Sequence, residues 1–104
     1  MGKDRTIKLI ANLIGKSTAH KILINYTNMP ESINHMSSEI DNYRGQLSEY
    51  IAQYNWNIYD KQKIKKEAEK SLNRELKKSH FTNVIFLSSA KIKFFNETIR
   101  EFFE

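Results

Sequence analysis

Between Pro30 and Asn55 the apolar residues Ile33, Met36, Ile40, Tyr43, Leu47, Tyr50 and Tyr54 recur at steps of 3, 4, 3, 4, 3 and 4, and Met29 lies one step earlier. Such steps keep side chains on one face of a helix that turns every 3.6 residues, so the spacing predicts a long helix over residues 30–55. Pro30 suits its first turn, where an amide hydrogen has no partner to lose. Gly45 falls opposite the apolar seam and weakens the helix by about 1 kcal/mol relative to Ala without opening the core.

Residues 6–27 carry two apolar sets at helical spacing, Ile7, Ile10, Ala11 and Ile14, then Ala19, Ile22, Leu23 and Tyr26, slightly out of phase. Gly15-Lys16-Ser17-Thr18 separates them. Either one helix kinks there, or a first helix stops near Gly15 and Ser17 caps a second. Asn57 or Asp60 can cap a further helix with a narrow stripe of Ile64, Ala68, Leu72 and Leu76 on a charged rod. Residues 80–87 read as a connection, extended around Val84 to Leu87. Ser88 or Ser89 caps a last helix with Ile92, Phe95, Ile99 and Phe102 inward and Phe94 and Phe103 widening its face.

One Pro and three Gly leave few breakers, which favours helices joined by short loops over a many-stranded sheet. The expected fold is therefore all-α, a compact bundle of four or five helices with residues 30–55 as the long central element. Its 104 residues suit a single helical domain, residues 1–104, with one core. A composition 39% hydrophobic and 28% charged is that of a globular chain, and no apolar run is long enough to span a bilayer. There is no Cys, which excludes disulfides and thiolate chemistry and fits a reducing cytosol. Met1 to Thr6 are followed by no apolar signal segment, so the expected location is cytoplasmic.

Charge is unevenly placed. Residues 1–28 hold five Lys or Arg against one Asp, residues 29–56 one Arg against four acids, residues 57–80 eight basic against four acidic, and the remainder balances. An acidic helix between two basic segments favours an antiparallel bundle with complementary faces.

Leu13-Ile14-Gly15-Lys16-Ser17-Thr18 ends like a phosphate-binding loop, but that loop needs a Gly five residues before Gly15 and Ile10 stands there. The stretch Val84 to Leu87 with Ser88-Ser89-Ala90-Lys91 is similar to the Ser-Ala-Lys end of small GTPases, where those residues contact a guanine base. The family's Asn-Lys-x-Asp signature has no counterpart here, and no residue role is carried over. Glu31, His35 and Glu39, at i, i+4 and i+8, span about 12 Å and cannot converge on one ion; they predict Glu–His pairs on a solvated face. His20 and His80 have no partner close in sequence. No catalytic, cofactor or metal residues are read from the chain.

Two functional readings remain. The first is a small non-enzymatic interaction module that self-associates, because the seam of Ile33 to Tyr54 and the aromatics Phe94 and Phe103 exceed what so small a bundle hides. The alternative is nonspecific nucleic-acid binding by the basic helix 61–78, with Lys61, Lys65, Lys66, Lys70, Arg74, Lys77 and Lys78 on phosphates. Lys63–Glu67 and Lys65–Glu69 pairs would offset part of that field. Trp56 and Tyr59, at the entry to this helix, are the expected exposed aromatic contacts.

Overall fold

The computed structural model describes residues 2–26, 31, 33–78 and 88–103. Four helices and no strand occur among them: α1 (Lys3–Tyr26), α2 (Ile33–Ile51), α3 (Ile58–Leu76) and α4 (Ser88–Phe103). None is long and apolar enough to cross a membrane. The expected starts at Met29 and Pro30, the connection at residues 80–87 and His80 lie outside the described residues.

The all-α expectation holds, but the central element is α1 and not the segment 30–55. Ile7, Ile10, Ala11, Leu13, Ile14, Ala19 and Ile22 are all buried, and the buried arc covers most of the helix circumference. A helix apolar nearly all round must be enclosed, and α2, α3 and α4 each pack against it. The two apolar sets of residues 6–27 differ in phase because one helix serves three neighbours. At 1.5 Å per residue its 24 residues span about 36 Å, close to the 40 Å long axis of the molecule.

α1 is a single helix through Gly15-Lys16-Ser17-Thr18, so Ser17 caps nothing. Gly15 instead lets two backbones meet. A β-carbon there would lie 2.7 Å from Ser71 Cβ and 2.8 Å from the Leu72 amide nitrogen of α3, distances no side chain tolerates. Thr18 returns its hydroxyl to the Ile14 carbonyl at 2.8 Å, which satisfies a polar group inside the core. The contacts Asp4–Lys63 and Gly15–Ser71 rise together in number, so α1 and α3 run parallel. The pairs Lys3–Asn55 and His20–Glu39 run oppositely, so α2 is antiparallel to α1.

α2 ends at Ile51, short of the expected Asn55. Side chains take over its last carbonyl and the segment that follows: the Trp56 indole donates to the Ile51 carbonyl at 2.8 Å and Lys3 Nζ to the Asn55 carbonyl at 3.0 Å. Of the two expected caps of α3, Asn57 is the cap and Asp60 its partner three residues on. The Asp60 amide donates to Asn57 Oδ1 at 2.8 Å and the Asn57 amide to Asp60 Oδ2 at 3.2 Å, a reciprocal capping box. In α4 the buried line runs through Ala90, Phe95 and Thr98, because the Thr98 and Thr18 hydroxyls meet where α4 crosses α1. That turns Ile92, expected inside, to 58% exposure.

Candidate functional site

The four acids of residues 57–78 alternate with lysines in sequence, but the helix separates them in space. Ile64, Ala68, Ser71, Leu72 and Glu75 are buried against α1. Half a turn away, Tyr59, Lys63, Lys66, Lys70, Asn73, Arg74 and Lys77 share the outward face, and all are exposed. No acid of α3 stands on that face, which Asp4 of α1 reaches at Lys63. Asp60 turns to Lys3 at 2.6 Å, and buried Glu75 receives Lys78 at 3.0 Å. Glu67 reaches Lys70 from the flank at 3.6 Å, and Glu69 lines a cleft toward α4.

The seven basic residues expected to contact phosphate therefore divide. Lys66, Lys70, Arg74 and Lys77 share the outward face over about 16 Å of helix. Arg74 is steadied by Asn12 of α1, donating to its Oδ1 at 3.2 Å, and Lys63 by Asp4 at 3.3 Å. Lys61 and Lys65 sit on the flank toward α4, each bordering a cavity. Lys78 folds back onto Glu75. Among the described residues Lys61, Lys65, Lys66 and Lys77 have no carboxylate within ion-pair distance. The expected Lys63–Glu67 and Lys65–Glu69 pairs do not form, because Asp4 and the cleft offer those side chains other surroundings.

Of the four aromatics expected to be exposed, only Tyr59 is, at 77%. Trp56 is half-buried, with Lys3 Nζ 5.4 Å from its ring centre. Phe94 and Phe103 are partly buried and pack against the core. Phe103 nonetheless meets Trp56 and Lys61 at one end of the bundle, where an open cavity of about 410 Å³ is also lined by Ile51, Tyr54, Asn55 and Phe102. A second cavity of about 300 Å³ lies between α3 and α4, with Lys65, Glu69, Leu72, Lys91, Ile92 and Asn96 in its wall. These groupings join residues more than 20 positions apart, so spacing along the chain gave no signal for them.

The Lys3 hydrogen bond to Asp60, with the Asn57 amide and nearby lysines adding to it, holds the Asp60 carboxyl below the usual carboxylate range. That carboxylate closes the capping box and fixes the start of α3.

Across the bundle, Glu39 of α2 gathers two histidines: His20 Nε2 lies 2.6 Å from one carboxylate oxygen and His35 Nε2 2.8 Å from the other. His20 is buried, and its Nδ1 lies 2.8 Å from the Lys16 carbonyl. A carbonyl only accepts, so the hydrogen of that bond is on Nδ1. The Tyr43 ring meets His20 edge-on at 5.4 Å. Burial, then the charges of Glu39 and Glu75 and a hydrogen bond to Glu39, push the Tyr43 hydroxyl above its ordinary value. Of the expected Glu–His pairs, His35–Glu39 forms and Glu31–His35 does not. No group of acidic or imidazole side chains among the described residues is arranged to hold a metal ion.

Compared with known proteins, the chain matches no family model, no curated protein and no solved structure.

Proposed function

We propose that this chain is a non-enzymatic binding module that holds nucleic acid by its phosphates along the outward face of α3. The observation that supports this reading is the sorting of charge on that helix: the acids turn to the flanks and the core, while Lys66, Lys70, Arg74 and Lys77 share one solvated face. Cations arrayed on a rigid helix displace counterions from a phosphate backbone and need no base contact to do so.

Charge reversal tests it. Lys66→Glu with Lys70→Glu is expected to remove binding to a 20-nucleotide DNA at low salt. Lys16→Glu with Lys93→Glu makes the same change in net charge on other helices and is expected to leave most of it. Equal losses from the two pairs would assign binding to net charge and remove the α3 face from the account.

Self-association is the second reading, and it rests on a different surface from the one expected. Phe94 and Phe103 are partly buried against the core, whereas Ile58 and Tyr59 are 65% and 77% exposed at the start of α3. Light scattering at high concentration tests this: a dimer dispersed by Ile58→Asp favours it, and a monomer for the unsubstituted chain excludes it.

A further inference from the structure

At the end of the molecule where the basic face of α3 begins, four aromatic rings from two distant parts of the chain meet. Tyr54 and Trp56 follow α2 and stand edge to face with ring centres 5.7 Å apart; Phe102 and Phe103 come from the last turn of α4. They form a cup of about 410 Å³, open to solvent. The Trp56 indole hydrogen is committed to the Ile51 carbonyl at 2.8 Å, so the ring is held in one orientation and its face is not free to swing away.

The charge of the cup favours one sort of occupant. Among the described residues Lys61 stands in its wall without a carboxylate partner, and no acid is in the lining. Lys3 lies over Trp56 and neutralises Asp60, the nearest carboxylate of α3. Aromatic rings beside a cation in a wall of mixed polarity fit a planar ring that carries a negative charge next to it, which describes a nucleotide. Lys61, on the flank of the first turns of α3, places the cup at the end of the helix whose outward face presents Lys66, Lys70 and Lys77.

We infer that the cup stacks one unpaired base of a single strand whose phosphates lie along α3; this rests on the phosphate reading above and specifies its partner. Bases in a duplex are paired and stacked, and entry of one would require flipping it out. Single strands therefore bind more tightly than duplexes carrying the same number of phosphates.

Trp56 is the only tryptophan, so its emission reports on the cup directly. The probes are a twelve-residue oligothymidylate, an abasic oligomer of the same length and a hairpin duplex. The oligothymidylate is expected to quench Trp56 and to bind about five- to hundredfold more tightly than the abasic oligomer, the range that one stacked base supplies. Phe103→Ala is expected to remove most of that advantage and to leave the abasic affinity in place. Equal affinities for the three probes with unchanged emission would overturn the cup while leaving the phosphate face standing. Failure of all three to bind at low salt would remove both.

Discussion

α1 and α3 come from segments with the same surplus of positive charge, and the bundle puts that charge to opposite uses. In α1 nearly the whole circumference is buried, and two of its five cations are drawn into the fold, Lys3 to Asp60 and Lys21 to Thr98 at 3.0 Å and Glu101 at 3.7 Å, while Arg5 and Lys8 stay exposed. In α3 only a narrow stripe is buried, and the cations of the opposite face meet solvent. Equal net charge thus predicts little about binding. What matters is whether packing has placed the acids between the cations or behind them.

The comparison can be broken first at the shared core. Leu72→Ala in α3 and Ile14→Ala in α1 empty fully buried positions, and each is expected to cost about 2–5 kcal/mol in urea unfolding. A loss under about 1 kcal/mol at Ile14 would contradict the enclosed position of α1. Gly15→Ala comes next. Helix propensity alone favours Ala by about 1 kcal/mol, but the new methyl meets the Leu72 backbone, which cannot rotate away, so a net loss of about 1–3 kcal/mol is expected. Ser71→Gly in the same chain should restore only part of it, since the Leu72 contact remains.

Asn57→Ala removes the first half of the capping box and is expected to lower stability by about 1 kcal/mol. The smallest effect concerns pH. Asp60 binds its proton less tightly when folded than when unfolded, so its contribution is present above the ordinary carboxylate range, near pH 4, and is lost as pH falls through the lower folded value. Lys3→Met is expected to flatten the acid limb of a stability–pH curve below about pH 4. An unchanged limb would show that the Lys3–Asp60 pair contributes nothing to folding.

Much of the fold could be read along the chain, and the exceptions have physical causes. Asn57 and Asp60 announced the start of α3, because capping is local chemistry among residues three apart. Ile64, Ala68 and Leu72 were legible as its inner stripe for the same reason. The importance of α1 was not, since a helix packed on several sides loses the clean one-sided period that made residues 30–55 stand out. Gly15 invited the reading of a helix end with Ser17 as the next cap, which the single helix α1 overturns, because the partner of Gly15, Ser71, is 56 residues away. Thr98 was hidden too: a threonine replaces an apolar residue on the inner face where its hydroxyl finds the Phe94 carbonyl at 2.9 Å. At the candidate site the individual lysines, Trp56 and Phe103 could be picked out by type. Their grouping into a basic face and an aromatic cup could not, because it depends on where Asp4, Lys3 and the end of α4 fall.

The salt dependence of single-strand binding tests the central claim most directly. For the unsubstituted chain the logarithm of affinity is expected to fall linearly with the logarithm of salt concentration, with a slope of about −0.7 for each phosphate engaged. Replacing Lys66, Lys70 and Lys77 by Gln should weaken binding and make that slope shallower by about 2, the share of three phosphate contacts. Parallel lines for the two chains, or an affinity that salt does not change, would contradict a phosphate-binding face on α3.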